Sequence, residues 1–467
     1  MKQLQDYGAV FELNEISSLF PALSISSIST DKKFTINTDS RFIKPDQIFL
    51  PLVGEKFDGH DFINDVLENG IELSFCESAK VNKIQDKINE NNKSKLIIVE
   101  NTLDAYHLLA NYYRKKINPK VIAVTGSSGK TTTKELLSAV ISVKYKTHKT
   151  QANYNNEIGV PKTILEMPQD TEVLILELAM RQEGEIRYLA KTCEPDIAII
   201  TNIGAAHIGR LGNIETITKT KCEILEYLKH DGVAVLHNNP ILIQYATKIW
   251  NGKKFIFALD QASDISFKNG KSNFTFKDLG DMESEQYCIN ALGNIHVLNS
   301  IIAILTTKHL GLSKKEIQEG LLKFNIPNGR GNILKLSEET YLINESYNAN
   351  PDSVRAAILN LIECWNGKDY KKVLVLGELA ELGQEEDKLL NELTMWLKDK
   401  SIDVVITVGD RLRQIHFAQN VKNNTECCDI LKRLLKPGTI VLVKGSRVAK
   451  LDEVIDSLTK SDLLNKK

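Results

Sequence analysis

No stretch of this chain approaches the ~20 consecutive apolar residues that span a bilayer, and Met1 to Leu19 contain no apolar signal core. Membrane insertion is therefore not expected, and a cytoplasmic protein is. Net charge is missing too: 59 basic residues against 60 acidic leave a formal charge of -1. Without a global basic field nucleic acid is not an expected partner, and any anionic ligand must be held by local donors. The seven cysteines (Cys76, Cys193, Cys222, Cys288, Cys364, Cys427, Cys428) include no CxxC pair and no ordered spacing. That argues against a zinc or disulfide framework and for free thiols in a reducing cytosol. No internal repeat or long low-complexity run is visible. What is present is ordinary for a globular protein, with 42% hydrophobic and 25% charged residues. A length of 467 residues exceeds one core and suggests about three domains.

Residues 1–116 mix short strands and helices, and Arg114 to Pro119 read as a polar linker. Beyond it the apolar runs Val121–Val124, Val173–Leu176, Ile197–Ile200 and Val233–Leu236 alternate with helical patterns, such as Leu136, Leu137, Val140 and Ile141 on one face. Strand alternating with helix predicts a mostly parallel sheet covered on both sides. Turn formers cluster at Pro327-Asn328-Gly329-Arg330-Gly331, giving domains 1–116, 117–327 and 328–467. In the last of these, Lys371–Gly377, Ile402–Gly409 and Thr439–Gly445 each read as an apolar strand ending in glycine, the pattern of a small doubly wound, Rossmann-like α/β domain.

The strongest local signal is Gly126-Ser127-Ser128-Gly129-Lys130-Thr131-Thr132, between an apolar strand and a helix from about Thr131. Glycines let the backbone wrap a phosphate, and amides at the helix start supply positive partial charge. Lys130 is expected to neutralise β/γ-phosphates and the Thr131 hydroxyl to ligate magnesium. Val124 stands where the general pattern has its first glycine; a plain Gly/Ser turn is the competing reading. Glu177 ends an apolar run, at the sheet edge where ligands bind in open α/β folds; the competing reading is a helix N-terminal acid, since Glu183 and Glu185 begin the next helix. By themselves, His207 is a lone loop histidine and Lys221 an ordinary helical surface lysine.

Together these motifs closely resemble the Mur ligase family. The segments TGSSGKTT, NYNNEIGVP, LELAMRQEGEI, TNIGAAHIGRLG, TKCEI, NESYNANPDS and VLGELAELG stand in the family's order from about Asp39 to Arg447. The resemblance implies three domains: an N-terminal α/β UDP-binding domain, a central ATPase domain and a C-terminal Rossmann-like ligase domain. It implies ATP and two Mg²⁺ ions, one held by Thr131 and Glu177, the other by His207 and a carbamylated Lys221, with Lys130, Glu177, His207 and Lys221 carrying catalysis. A carbamate suits this role because it offers anionic oxygen to a hard cation that an ammonium would repel.

The substrates implied are a UDP-N-acetylmuramoyl tripeptide and D-alanyl-D-alanine, with the protein a monomer. Ser40 and Arg41 are the candidates for the nucleotide sugar, Asn155 and Asn156 for the substrate's sugar and phosphates, and Tyr347, Asn348 and Asn350 for the incoming dipeptide. Asn350 and Asp352 could instead serve as a turn and helix cap. Asn299 and Arg330 join the ATP site, with Glu345 as a ribose acceptor. Four residues depart from the family pattern: Ile295 and His296 replace a histidine–asparagine pair, and Asn344-Glu345 replaces two aspartates. Competing readings are a sibling ligase adding a single amino acid, a folylpolyglutamate synthase-like ligase, a nucleotide-driven switch or motor, and a non-catalytic binding protein on a degenerate ligase fold.

Overall fold

The structure, a computed structural model, describes residues 8–21, 28–278, 283–366 and 369–460; the first seven residues of the stretch read for a signal lie outside that set. Two compact units emerge, one gathering Met1–Val121, Tyr145–Leu178 and Tyr188–Glu194, the other Ile122–Lys144, Ala179–Arg187 and Pro195–Lys467.

In the first unit a five-stranded sheet runs in the order Phe11–Glu12, Lys33–Asn37, Gln47–Phe49, Ser74–Glu77 and Leu96–Val99. Its first pair is antiparallel and the others are parallel. Phe49, Ile63, Val66, Leu67 and Cys76 form an apolar cluster beside it. Arg114 to Ile117 are not linker: they are the last turn of the helix Thr102–Ile117, which Asn118 ends in a left-handed conformation at φ 55°. Three basic residues in that turn complement the helix C-terminus. The Arg114 side chain, 2% exposed, donates to Glu194 at 2.7 Å. What resembled solvated charge is an anchor. The same unit holds a parallel pair, Thr147–Lys149 beside Val173–Glu177.

In the second unit Lys253–Phe257, Val233–His237, Ile197–Ile200 and Lys120–Thr125, the last from Ile122 onward, lie side by side and parallel. On the helix Lys130–Ile141, Leu136, Leu137, Val140 and Ile141 are all fully buried, as their spacing predicts. An antiparallel meander, Ala262–Lys268, Lys271–Phe276 and Glu285–Ile289, was not expected. Further on, a six-stranded sheet runs in the order Asn332–Ser337, Thr340–Glu345, Thr439–Lys444, Lys371–Gly377, Val404–Val408 and Gln419–Val421. Only its first pair is antiparallel. Alternate residues of the central strands feed separate cores on its two faces, Leu374, Leu376 and Leu442 on one and Val373, Val375, Val441 and Val443 on the other. Parallel strands buried on both faces make this a doubly wound sheet, with ligand-facing loops at the strands' carboxyl ends.

Candidate active site

The loop Gly126–Gly129 leaves the strand Lys120–Thr125 and enters the helix that begins at Lys130. Gly126 (φ 148°) and Gly129 (φ 78°) take left-handed backbone, and a Cβ on Gly126 would meet Thr201 Oγ1 at 1.9 Å. Only glycine fits there. A second segment straps the loop down. The Thr201 hydroxyl donates to Ser128 O at 2.6 Å, Asn202 Oδ1 accepts the Ser128 amide at 2.9 Å, and Ser127 Oγ accepts the Gly204 amide at 2.9 Å. Lys130 Nζ donates to Gly126 O at 2.8 Å. A cation, helix-start amides and a rigid backbone thus face one small volume, the chemistry a polyphosphate needs. Thr131 and Thr132 continue the first helical turn. Asn299 reaches the same loop: its Oδ1 accepts the Thr133 hydroxyl at 3.4 Å and would lie 3.7 Å from a Cβ on Gly129.

Lys221 is not a surface lysine. It lies on the helix Ile214–Cys222, whose start is capped by Asn213, and shares its buried face with Ile217, four residues earlier. The side chain is 1% exposed. Burial first, and then repulsion from Lys130, hold its amine well below the usual lysine range. Its charged form is therefore disfavoured relative to an ordinary lysine's.

His207 sits at φ 65° before the short helix Ile208–Leu211. Its Nδ1 is 2.6 Å from Glu381 Oε2, an ion-pair distance without hydrogen-bond alignment. Among the described residues no three His, Cys, Asp or Glu gather as a ready-made metal cage. The expected donors are instead a threonine hydroxyl, an imidazole and a derivative of a buried amine. A buried Lys221 whose charged form is disfavoured by burial and by Lys130 fits that last requirement: a carbamate there would gain the attraction that an ammonium lacks.

The turn after the strand Thr340–Glu345 is held from within. Asn344, 4% exposed, accepts from Ser346 N and Oγ and donates to Asn328 Oδ1; an aspartate in this position could not make that last bond. Glu345 Oε2 lies 3.1 Å from Lys444 Nζ, which also donates to Asn348 O at 3.0 Å. His296 is buried against Phe324 with Glu345 nearby, and burial drives its pKa down to about 4. The Arg330 guanidinium lies 4.2 Å from the Tyr347 ring centroid. Asn350 caps the helix Pro351–Cys364 through Ser353 N at 2.8 Å, so the capping alternative is realised for it. Asp352 instead accepts the Ala205 amide at 2.7 Å.

In the other unit, Glu177 is the last residue of its strand and 2% exposed, not the opening acid of a helix. It accepts Asn155 Nδ2 at 2.8 Å, while Asn156 Oδ1 takes the Gly159 amide at 3.0 Å. Arg41 is exposed and doubly bonded to Asp39, whose carboxyl it holds down to about 2. Ser40 lies in the turn between them. Sequence reasoning passed over Thr201, Asn202, Asp352 as a contact residue, and Glu381; each acts on a partner remote in the chain.

The profile of the Mur ligase family catalytic domain matches residues 35–114, that of the Mur ligase middle domain 124–307, and that of the Mur ligase glutamate ligase domain 329–447. A curated relative from Bacillus subtilis (strain 168), UDP-N-acetylmuramoyl-tripeptide–D-alanyl-D-alanine ligase, is 36% identical, covering 92% of this chain and 93% of its own. Among solved structures, MurF from Acinetobacter baumannii superposes with a TM-score of 0.85 at 27% identity, covering 97% of this chain and all of its own. MurF ligase from Thermotoga maritima in complex with ADP gives 0.82 at 26% identity, covering 93% and 99%.

Proposed function

The chain belongs to the Mur ligase family, and from that premise we propose that it joins D-alanyl-D-alanine to the terminal carboxylate of a UDP-N-acetylmuramoyl tripeptide, converting ATP to ADP and phosphate. The product serves cell-wall synthesis. The protein acts in the cytoplasm as a monomer. Residues 1–116 hold the UDP portion through Ser40 and Arg41, 117–327 the ATP, and 328–467 form the ligase domain that carries Arg330, Glu345 and the dipeptide turn. No described helix is long and apolar enough to cross a membrane, and none of the seven cysteines forms a disulfide.

The reaction begins with an electrostatic difficulty. A carboxylate must approach a γ-phosphate, and two unit anions ~4 Å apart repel by about 4 kcal/mol at an effective dielectric of ~20. Lys130, already aimed at the loop's mouth by Gly126 O, offsets that repulsion, and the helix-start amides bind the phosphates. The carboxylate then takes the γ-phosphoryl group, the dipeptide amine attacks the acyl carbon, and phosphate leaves. Thr131 and Glu177, and separately His207 with a carbamylated Lys221, are the residues that would hold Mg²⁺, which would supply further charge neutralisation on the transferring group. Lys221 reaches its ligand form when its neutral amine attacks the carbon of CO2 and releases a proton to solvent. Asn299, Arg330 and Glu345 orient the nucleotide, Asn155 and Asn156 the acceptor's sugar and phosphates, and Tyr347, Asn348 and Asn350 the dipeptide.

The observation carrying the ligase reading beyond simple ATP use is the buried amine of Lys221 beside Lys130. A nucleotide-driven switch needs the cation but has no use for a second lysine buried where its charge is disfavoured. The expected result of incubation with ATP, Mg²⁺ and each tripeptide nucleotide is ADP release only when D-alanyl-D-alanine is present, with the pentapeptide nucleotide found by mass. Glutamate or a single amino acid serving as well as the dipeptide would point to a sibling ligase, and ATP hydrolysis indifferent to both substrates to a motor.

A further inference from the structure

The segment that carries His207 is gripped by residues from the last third of the chain. Asp352 Oδ2 accepts the Ala205 amide at 2.7 Å, and Glu381 O accepts the Gly209 amide at 3.1 Å. Gly209 and Gly383 approach so closely that a Cβ on either would lie 2.6 Å from the other's backbone. Between these contacts the Glu381 carboxylate meets the ring, Oε2 lying 2.6 Å from His207 Nδ1. Arg210 Nε stands 3.9 Å from the other oxygen. Both His207 (φ 65°) and Glu381 (φ 62°) hold left-handed backbone, a conformation that costs a non-glycine residue free energy and persists where its surroundings enforce it. Two such residues meeting side chain to side chain point to an arrangement kept for its geometry.

We propose that Glu381 is a positioning residue: its carboxylate, at ion-pair distance from Nδ1, orients the His207 ring and favours the tautomer protonated at Nδ1, so that Nε2 is presented as the metal-binding atom. This rests on the assignment of His207 as a magnesium ligand above and deepens it. A metal-bound imidazole needs its other nitrogen held, and a carboxylate both orients the ring and raises its basicity. Because Glu381 comes from the carboxyl-terminal domain and His207 from the central one, the metal site is complete only while those two segments are docked. Assembly of the site is thereby coupled to closure.

The test compares the parent, Glu381→Ala, Glu381→Gln, His207→Ala and the double variant His207→Ala/Glu381→Ala. Binding of Mn²⁺ in the presence of ADP is followed by the electron paramagnetic resonance of the free ion, beside kcat, KM and the melting temperature. Glu381→Ala is expected to weaken Mn²⁺ binding about ten- to a hundredfold, the usual effect of losing a ligand's supporting carboxylate. A matching loss in kcat and little change in KM for the muramoyl nucleotide should accompany it. Glu381→Gln keeps an oxygen that can accept from Nδ1 and recovers part of the loss; adding Glu381→Ala to His207→Ala changes nothing further. Parent-like Mn²⁺ affinity and kcat in Glu381→Ala overturn the proposal. So does a variant in which melting temperature and affinity fall together and glutamine restores neither. A parent that binds no Mn²⁺ sinks the metal assignment itself, a failure distinct from one confined to the variants.

Discussion

Replacing Lys130 with methionine is expected to lower kcat about a thousandfold while the melting temperature stays near the parent's. Loss of one preorganised donor to developing charge typically costs about 10²–10³ in rate, or ~3–4 kcal/mol. Lys130 carries a full charge, and the repulsion it opposes is of the same size, about 4 kcal/mol. The upper end of that range is therefore the right expectation. Lys130 is half-buried and donates to the Gly126 carbonyl at 2.8 Å; methionine keeps the length of its aliphatic stem while removing the charge. Single-turnover ADP formation with saturating substrates is the measurement; a rate within threefold of the parent would remove Lys130 from the chemistry.

The second large effect separates activity from stability at one residue. Lys221→Met should lose about a thousandfold in kcat, since a metal's stabilisation of transferring charge is worth several kcal/mol, yet its melting temperature at neutral pH should rise. Burial, first, and Lys130 hold the folded amine's pKa well below its ordinary 10.5, whereas the unfolded chain takes up a proton below that value. The unfolded state therefore binds more protons, and stability from this site falls as pH falls. Methionine fills similar space without that liability, so its advantage should shrink as pH climbs towards 10.5. Differential scanning across pH checks the sign in buffer freed of carbon dioxide. In parallel, ¹³C-labelled bicarbonate should give a carbamate carbonyl signal in the parent and none in Lys221→Met. Full activity in the variant, or no labelled signal in the parent, would contradict the assignment.

How much of this could be read from the chain depended on how local each feature is. The phosphate loop was legible because its parts are consecutive: two glycines, a lysine and a threonine at the junction of an apolar strand and a helix. The parallel strands around it were legible for a similar reason, since a strand buried on both faces writes itself as an unbroken apolar run. Lys221 was different. Nothing in TKCEI marks a buried amine; only family resemblance raised it, and only the packing of its helix strips its charge. The brackets Thr201, Asn202 and Glu381 were invisible because each acts on a partner far off in sequence, and hydroxyl and amide side chains have many ordinary uses.

Two misreadings have physical causes as well. Arg114 to Ile117 looked like linker because a run of charge usually is solvated, but here Glu194 supplies the missing partner. The antiparallel meander Ala262–Lys268, Lys271–Phe276 and Glu285–Ile289 escaped notice because its first strand mixes half-buried and exposed residues and its second alternates buried and half-buried ones, a weaker imprint than a solid apolar run. The departures at Asn344 and Glu345 proved informative. An amide at one position donates to Asn328, and a longer acid at the other reaches the buried Lys444, so the altered pair has its own bonding logic.

The most direct test of the chemistry is an isotope transfer. With ¹⁸O in both oxygens of the tripeptide's terminal carboxylate, an acyl phosphate must deliver one labelled oxygen to inorganic phosphate for every peptide bond made. One ¹⁸O per phosphate is the expected result; phosphate free of label, formed alongside normal product, would contradict the route.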